Sequence, residues 1–387
     1  MSFARHALPN PRIAGRRIFA EIQNSLPDEK PSRAVVTRLL ILSGLAIATI
    51  FFVLDNITIN VGRSVDLQAA GQVAFFTPGI DGFEIFVIDA DRGITQQITQ
   101  NELVHDLNPV WSPDGTRIVY QSDEIGISEL YVMDVQSGAV RRVGPPHPGL
   151  QVSWSPDSSQ LVFTARVGND DEVFVVNADG EDLRQLTDND FADSFPVWSP
   201  DGNRIAFMSF ADNQLDLYTM NTDGSDVRRI TNDRAQDLNP VWSPDSTRLA
   251  FVSDRDAPMN SEYYVVDVRT GDITRLTTGG AAVGDQFGSN IAWSPDGTQL
   301  AYVGHADDGY QLHLANADGS DSRVLIDNLD IQGNLFGNSV AWTGDANRIA
   351  FIGGFGPFTE LYTYHLESGE IAQISHDVPV AGISWRP

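Results

Sequence analysis

Three histidines are the side chains of this chain best suited to metal chemistry. Three imidazoles with a nearby carboxylate can bind a transition metal such as zinc or manganese. His105, His147 and His376 are candidates for such a set, and His305 is a further histidine that can join them. The chain has no cysteine, so it offers neither a thiolate ligand nor a disulfide. The alternative is that these are solvated loop histidines.

Acidic residues in a recurring local sequence form a second candidate set. Asp106-Leu-Asn-Pro109 and Asp237-Leu-Asn-Pro240 are near copies, and Asp193-Ser-Phe-Pro196 is related to them. Repeated Asp and Asn oxygens around one rim can bind Ca²⁺ weakly or contact a protein partner. Such residues also cap the backbone of a strand, and both interpretations stay open at this point.

Hydrolytic chemistry is poorly supported by the sequence. Gly337-Asn-Ser-Val-Ala341 is the nearest approach to a nucleophile elbow, but it lacks the final glycine of that motif. No hydrolase domain fits beside the repeats described next. We therefore expect a chain without hydrolytic activity.

The elements that position these residues follow from a tryptophan motif with a regular period. Successive tryptophans are 43, 44, 44, 51, 49 and 43 residues apart. A period of this size indicates a radial repeat with one supersecondary unit per copy. The motif is Trp-Ser-Pro-Asp-Gly or a variant of it, at Trp111, Trp154, Trp198, Trp242, Trp293, the degenerate Trp342 and the truncated Trp385.

Each repeat encodes four strands. An apolar strand ends in the tryptophan, and Ser-Pro-Asp-Gly then forms a tight turn in which glycine accepts a positive φ. A second strand follows, as at residues 204–208, and a third begins with an acid and an aromatic, as in Asp216-Leu-Tyr218. A hairpin turn, Asn221-Thr-Asp-Gly224, leads to the fourth strand at residues 227–231. This order predicts an all-β fold, a β-propeller of four-stranded antiparallel blades.

The number of blades follows from the third strand, which recurs seven times. The first blade begins with a second-type strand at residues 71–75, and a first-type strand ends the chain at 381–385. The C-terminal strand should therefore complete the first blade, whereas an open solenoid would leave both fragments unpaired. The third strands begin near Phe83, Glu129, Glu172, Asp216, Glu262, Gln311 and Glu360.

This topology predicts that the candidate histidines share one face of the propeller. Crossings between blades and loops between the second and third strands lie at the same end of an antiparallel blade. His105, His147 and His376 fall in crossings around the closure point, and His305 falls in a second-to-third loop. The sequence thus predicts a possible metal site at the channel mouth.

The segment before the propeller predicts a membrane anchor. Residues 39–54 are uncharged and almost wholly apolar, and residues 1–38 carry seven basic against three acidic side chains. By the positive-inside rule the N-terminus then stays in the cytoplasm. A cleaved signal peptide is the competing interpretation, although no small-residue cleavage site follows the apolar stretch directly. We predict a cytoplasmic basic tail at 1–37, a transmembrane signal anchor at 38–54, a linker at 55–70 and the propeller at 71–387.

The charge of the chain limits the kinds of partner that it can bind. Beyond the apolar segment the chain has 18 arginines, no lysine and 49 acidic residues. Such a surface repels nucleic acid and anionic lipid, and it suits a cationic partner. Part of the acidic excess is turn chemistry, since each repeat places aspartates in its turns.

These blocks resemble the TolB-like propeller repeat, a WD-like repeat of bacterial envelope proteins. The resemblance rests on Pro-Val-Trp-Ser-Pro-Asp-Gly, Ile-Ala-Phe, Leu-Tyr-x-Met and Asp-Gly-Ser-x-x-Arg-Arg-Ile-Thr, and it covers residues 71–387. It implies the propeller fold and an extracytoplasmic binding role. The chain differs from the family's type protein in having seven blades rather than six, a membrane anchor and no α/β domain before the propeller.

The longer repeats indicate where a partner binds. Their additional residues fall in loops of the same face and include Phe287, Phe336, Phe355 and Phe358. Together with Asp106, Asp193 and Asp237 these residues are our predicted partner-binding set. The phenylalanines form either an aromatic patch over the channel mouth or a plug inside the channel.

We therefore interpret the chain as a non-catalytic, single-pass membrane protein with a periplasmic or extracellular propeller. It should bind or scaffold an envelope protein or peptide, without nucleic acid and without a cofactor beyond weakly bound Ca²⁺ or a transition metal. The alternative is a metal-dependent enzyme that processes envelope carbohydrate or peptide at the channel mouth. A sensor is a third interpretation, but the short N-terminal tail contains no recognisable output domain.

Overall fold

The structure is a ring of seven four-stranded antiparallel sheets, which confirms the predicted seven-bladed propeller. The computed structural model describes residues 71–78, 82–101, 104–124, 127–146, 148–256, 261–278, 290–306, 309–329, 338–354, 359–375 and 379–386. The predicted anchor at 38–54 lies outside these residues. Within them, no helix has the length and apolar character needed to cross a membrane.

The first four blades follow one another along the chain. Blade 1 contains β1 (Gln72–Pro78), β2 (Phe83–Asp89) and β3 (Ile94–Gln97); blade 2 contains β4 (His105–Trp111), β5 (Arg117–Glu124), β6 (Ile127–Asp134) and β7 (Val140–Val143). Blade 3 contains β8 (Pro148–Trp154), β9 (Gln160–Val167), β10 (Asp170–Asn177) and β11 (Arg184–Gln185). Blade 4 contains β12 (Asp193–Trp198), β13 (Arg204–Ser209), a 3₁₀ turn (Ala211–Asn213), β14 (Asp216–Asn221) and β15 (Arg228–Arg229).

The remaining blades complete the ring. Blade 5 contains β16 (Asp237–Trp242), β17 (Arg248–Ser253), β18 (Glu262–Asp267) and β19 (Ile273–Arg275). Blade 6 contains β20 (Ile291–Trp293), β21 (Gln299–Ala306), β22 (Gly309–Asn316) and β23 (Arg323–Leu329). Blade 7 contains β24 (Val340–Trp342), β25 (Arg348–Gly353), β26 (Glu360–His365) and β27 (Ile371–Gln373), and β28 (Ala381–Trp385) returns to blade 1.

The hydrophobic core lies between neighbouring blades. Val119 and Leu130 of blade 2 pack with Leu161 and Phe163 of blade 3 in one buried cluster. Clusters of the same kind join blades 4 and 5 and blades 6 and 7. Because neighbouring sheets cover both faces of the middle strands, these strands are apolar almost throughout, as the sequence of β9 shows.

An aromatic pair links the second and third strands of every blade. Phe207 and Tyr218, for example, have ring centroids 5.7 Å apart. Such cross-strand pairs stabilise a sheet beyond the area they bury. In blade 6 the pair is Tyr302 and His313, stacked at 4.9 Å, and burial lowers the pKa of His313. The other pairs are Phe75–Phe86, Tyr120–Tyr131, Phe163–Phe174, Phe251–Tyr264 and Phe351–Tyr362.

The Trp-Ser-Pro-Asp-Gly segment forms the predicted turn. In blade 2 the Gly115 amide donates to the Ser112 carbonyl over 2.8 Å, and Gly115 has φ +66°. In blade 3 the glycine is replaced by Ser158, which accepts a φ of 62°. Hydrogen bonds from Ser155 and Ser159 hold the pKa of the turn acid Asp157 below its ordinary value. The aspartate therefore accepts hydrogen bonds inside the turn as an ionised carboxylate.

The C-terminal strand closes the ring as predicted. β28 pairs antiparallel with β1, with Ala74 opposite Ser384 and Phe76 opposite Ala381. Beyond the strand, the Arg386 guanidinium lies over the Trp111 ring at 5.4 Å, and its Nε donates to the Gly115 carbonyl over 3.0 Å. The last strand thus contacts blade 2 as well as blade 1, and it removes the open edge of both ends of the repeat array.

The tryptophan indoles connect successive innermost strands. Trp154 Nε1 donates to the Val110 carbonyl of the preceding blade over 3.1 Å, and Trp242, Trp293 and Trp342 do the same in their blades. The pattern differs at Trp198, because the residue before the tryptophan of the preceding blade is a serine, Ser153. Ser153 Oγ accepts from the Trp198 backbone amide over 3.1 Å, and among the described residues the indole nitrogen of Trp198 has no partner.

Removal of apolar contacts from the closing strand should destabilise the ring. Ile383 of β28 is 2% exposed and packs with Val73 and Phe75 of β1. We expect Ile383→Ala to lower the free energy of unfolding by about 2–5 kcal/mol. Urea unfolding of the full-length protein measures the change.

Ile371→Ala is the matched control, because Ile371 lies on an outermost strand and is 42% exposed. It should change the free energy of unfolding by less than about 0.5 kcal/mol. Equal effects of the two substitutions would contradict a stabilising role of closure.

Candidate functional site

A central channel of about 680 Å³ runs between the innermost strands of the seven blades. Its volume lies within the range of ordinary ligand pockets, roughly 300–1,000 Å³. The wall consists mainly of the half-buried side chains that precede the tryptophans. These are Val110, Ser153, Val197, Val241, Ala292 and Ala341.

A β-bulge interrupts the strand pairing of three innermost strands. Asn108, Phe195 and Asn239 adopt φ values of 52°, 53° and 55°, and strand pairing shifts at each of them. Each precedes a proline, which has no amide hydrogen for the ladder. Asparagine tolerates this left-handed conformation, whereas for a bulky phenylalanine it is an outlier. All three residues line the channel. The Asn-Pro and Phe-Pro pairs were the sequence signal for this feature, which we did not predict.

The predicted partner-binding acids are fully buried. Asp106, Asp193 and Asp237 are each 0% exposed. Asp106 accepts hydrogen bonds from Ser122 Oγ at 2.6 Å and Asn101 Nδ2 at 2.8 Å. The acids therefore lie beneath the rim rather than on it, and their predicted role toward a partner or Ca²⁺ stays a prediction.

A similar hydrogen-bond network leads from the outer strand to the next blade at two crossings, from blade 1 to blade 2 and from blade 3 to blade 4. In blade 1, Thr99 Oγ1 donates to Glu84 over 2.7 Å and accepts from the Ile85 amide over 2.9 Å. The Asn101 backbone amide donates to Glu84, and the Asn101 side-chain amide donates to Asp106 of blade 2. The same arrangement joins Glu172, Thr187 and Asn189 of blade 3 to Asp193 of blade 4. The acids thus satisfy the buried donors of the crossings.

Arginines neutralise some of these acids. Arg255 contacts both carboxylate oxygens of Asp237, at 2.9 and 3.1 Å. Arg229 contacts Asp216 at 2.5 Å, and Arg275 contacts Glu262 at 2.8 Å. Two of these pairs, Arg229–Asp216 and Arg255–Asp237, lie at the crossing from blade 4 to blade 5. A buried carboxylate with an arginine partner avoids most of the cost of an isolated charge.

Two candidate histidines fall within the described residues. His105 is the exposed first residue of β4, and its Nδ1 accepts a hydrogen bond from the Phe83 amide over 3.3 Å. His305 lies in β21 rather than in the predicted loop, with its ring 4.8 Å from that of Tyr310. His147 and His376 lie outside the described residues. Within the described part of the chain, no three His, Asp or Glu side chains are close enough to hold a metal ion. The predicted metal site stays a prediction.

The predicted aromatic patch also stays a prediction. Phe287, Phe336, Phe355 and Phe358 all lie outside the described residues. The strands that follow the first two, β20 and β24, contribute Ile291 and Val340 to the channel wall.

Comparisons with known proteins agree on the repeat. The family model of the TolB β-propeller domain matches residues 70–194 and 192–290, more than half of the chain. The Tol-Pal system protein TolB of Anaeromyxobacter dehalogenans (strain 2CP-C) is 31% identical over 128 residues, which cover 33% of this chain and 29% of that protein. The chain thus aligns with less than a third of the length of this relative.

Solved structures share the fold. TolB from Acinetobacter baumannii is 18% identical, with a TM-score of 0.53 over 82% of this chain and 67% of that chain. An oligogalacturonate lyase in complex with manganese is 16% identical, with a TM-score of 0.63 over 77% of this chain and 86% of that chain. At these identities the likeness concerns the fold alone.

The buried acid of blade 4 should couple stability to pH. Burial raises the pKa of Asp193 above the ordinary value of 3.8. Its contribution to stability is therefore present below the ordinary pKa and is lost as the pH rises through the raised one. As the pH rises above about 4, the free energy of unfolding of the wild type should fall relative to that of Asp193→Asn. Urea unfolding at several pH values measures the difference.

Asp223→Asn supplies a control of opposite sign. A hydrogen bond from Ser225 lowers the pKa of the exposed Asp223, so its stabilising effect is lost as the pH falls. A stability difference between Asp193→Asn and wild type that does not change with pH would contradict the prediction.

Proposed function

Because this chain belongs to the TolB β-propeller domain family, we propose that it is a non-catalytic module of the bacterial cell envelope that binds a protein or peptide. The propeller acts outside the cytoplasm, and residues 38–54 anchor it to the membrane with the N-terminus inside. The name of its TolB relative, a Tol-Pal system protein, supports an envelope role. The central channel and its mouth form the binding surface.

The channel is the observation that carries the proposal. Its wall combines apolar side chains such as Val197 and Val241 with polar ones such as Asn108 and Gln151. A cavity of this composition suits an extended peptide, because apolar contacts supply affinity and a few polar groups supply orientation. The rigid ring of strands presents this surface without a folding cost at the moment of binding.

Residues at the channel mouth extend the binding surface, so that it can contact a partner larger than a peptide. Phe287 and Phe336 precede β20 and β24 in the sequence, and we propose that they form the aromatic patch beside the channel wall. Aromatic side chains at the edge of a pocket are frequent anchors of protein partners. The acidic excess of the exported part favours a partner with basic residues and speeds its association.

The enzymatic alternative depends on residues outside the described part of the chain. A metal centre at the mouth needs His147 and His376 beside His105. His105 already accepts a hydrogen bond from Phe83 through Nδ1, so its Nε2 carries the proton, and binding a metal would require His105 to give up this hydrogen bond. The binding role therefore has the stronger support from the described residues.

Loss of the aromatic patch should weaken partner capture. Partners are crosslinked to the full-length protein in intact cells and identified by mass spectrometry. We expect Phe287→Ala with Phe336→Ala to reduce recovery of the principal partner by at least about tenfold, as for a pair of interface hot spots. Val324→Ala with Ile371→Ala, two exposed apolar residues on outermost strands, is the control. Unchanged recovery would contradict the role of the patch.

Filling the channel tests the second part of the binding surface. Ala292 and Ala341 line the channel, so Ala292→Phe with Ala341→Phe should occupy it and exclude a peptide. We expect the affinity for the identified partner to fall by at least about tenfold, measured by calorimetry. Ala372→Phe, on the exposed outer strand β27, makes the same change outside the channel. Equal affinities of both variants would show that the partner does not enter.

A further inference from the structure

Blade 5 contains an internal guanidinium site. The Arg255 side chain is 13% exposed and contacts both oxygens of Asp237. Its Nε donates to Ser253 Oγ over 3.0 Å. The guanidinium lies over the Phe251 ring at 5.1 Å and the Tyr264 ring at 4.9 Å. Its Nη1 also lies 3.2 Å from Asp233 Oδ2. Two acids, a hydroxyl and two aromatic faces thus surround one cation.

Blade 4 repeats this environment. Asp193 is paired with Ser209, as Asp237 is paired with Ser253 in blade 5. Phe207 and Tyr218 correspond to Phe251 and Tyr264, and the two aromatic pairs share the same ring separation of 5.7 Å, with interplanar angles of 29° and 31°.

The cation is the part that blade 4 lacks. Arg255 follows Ser253 by two positions, and the residue two positions after Ser209 is Ala211. A cavity of about 340 Å³ occurs here, and its wall includes Asp193, Phe207, Ser209, Ala211 and Tyr218. Asp193, Phe207 and Ser209, the buried counterparts of residues of the blade 5 site, thus line this cavity.

The acid at this cavity has no ionic partner. No arginine or histidine of the described residues forms an ion pair with Asp193, in contrast to Asp237. Asn189 donates to Oδ2 over 2.7 Å, and the neighbouring Ser209 hydroxyl opposes the rise in pKa that burial causes. Buried charges in proteins are normally paired, because an isolated one is costly.

A second arginine is missing from the same crossing. Arg229, which neutralises Asp216 before blade 5, corresponds to Gln185 before blade 4, since the two residues pair with Tyr218 and Phe174 at the same strand position. Glu172 therefore has no arginine, and burial raises its pKa, with a further contribution from the negative charge of Asp193. The crossing from blade 3 to blade 4 thus keeps Glu172 and Asp193, has Asn189 at the position of Asp233, and lacks both arginines.

We propose that the cavity beside Asp193 is a binding site for a guanidinium group, supplied by an arginine side chain of a protein partner. Asp193 binds the cation, Ser209 accepts a hydrogen bond from it, and Phe207 and Tyr218 form the aromatic walls. Phe191 and Val227 line the same cavity and are 42% and 53% exposed. They offer apolar contact to the residues that flank such an arginine. This site does not depend on the proposed role of the channel.

Calorimetry with small probes tests the chemistry of the site. The full-length protein is titrated with acetyl-arginine amide and with acetyl-citrulline amide, which has the same shape without the charge. We expect one bound arginine amide per chain, at least about tenfold tighter than the citrulline amide. No binding, or equal affinity for both probes, would overturn the proposal.

Substitutions within the repeat locate the site. Ala211→Arg should abolish binding, because the new side chain occupies the cavity as Arg255 does in blade 5. Ala139→Arg adds the same charge at an exposed turn and should leave binding intact. Arg255→Ala should create a second cavity of the same kind and raise the stoichiometry from one to two. Binding that survives Ala211→Arg would place the probe elsewhere and overturn the assignment.

A third titration tests whether the guanidinium comes from a protein partner or from a small molecule. An acetylated leucine-arginine-leucine amide can contact Phe191 and Val227, whereas free arginine cannot. At least about tenfold tighter binding of the peptide supports an arginine from a protein partner. Equal affinity would overturn that source and assign the cavity to a small guanidinium compound. A channel filled by Ala292→Phe and Ala341→Phe should not change either affinity.

Discussion

Burial of apolar side chains between neighbouring blades is the interaction on which the ring depends. A four-stranded sheet with two apolar faces is not stable alone, so each blade needs a neighbour on both sides. Closure through β28 extends this condition to blade 1, whose Val73 and Phe75 pack with Ile383. The innermost strands then meet around a channel whose width follows from the number of blades. Channel and crossings are both consequences of this closed packing.

Packing between blades also buries the polar groups of the crossings. The chain leaves the outermost strand of one blade and enters the innermost strand of the next, and its amides need acceptors along this path. At the first crossing Thr99 and Glu84 accept from the backbone amides of Ile85 and Asn101, and Asp106 accepts from the Asn101 side chain. Asp106 and Asp193, which resemble a surface binding motif in sequence, thus accept hydrogen bonds from side chains of the same crossings. Where arginines accompany them, the charge is balanced within the chain.

Because the blades share one fold, a residue difference between equivalent positions of two blades can indicate a functional site. Arg255 is particular to blade 5, because the residue at the equivalent position is Glu124 in blade 2 and Ala211 in blade 4. The crossing from blade 3 to blade 4 differs from the next one in having Gln185 for Arg229, Asn189 for Asp233 and Ala211 for Arg255. The resulting cavity keeps the acid and the aromatic walls. A partner side chain in that cavity balances the buried charge of Asp193 in the way that Arg255 balances that of Asp237.

The sequence by itself determined the seven blades, their four strands and the closure by the last strand, because these follow from local patterns: a period, turn residues and alternating apolar positions. It also indicated the recurring acids, but not that Asp106, Asp193 and Asp237 are buried. Only the tertiary structure decided that, along with the left-handed conformation of Phe195 and the cavity beside Asp193. These features depend on packing between segments of different strands and blades. Asp193, Phe207, Ala211 and Tyr218 line one cavity only because the folded chain brings them together.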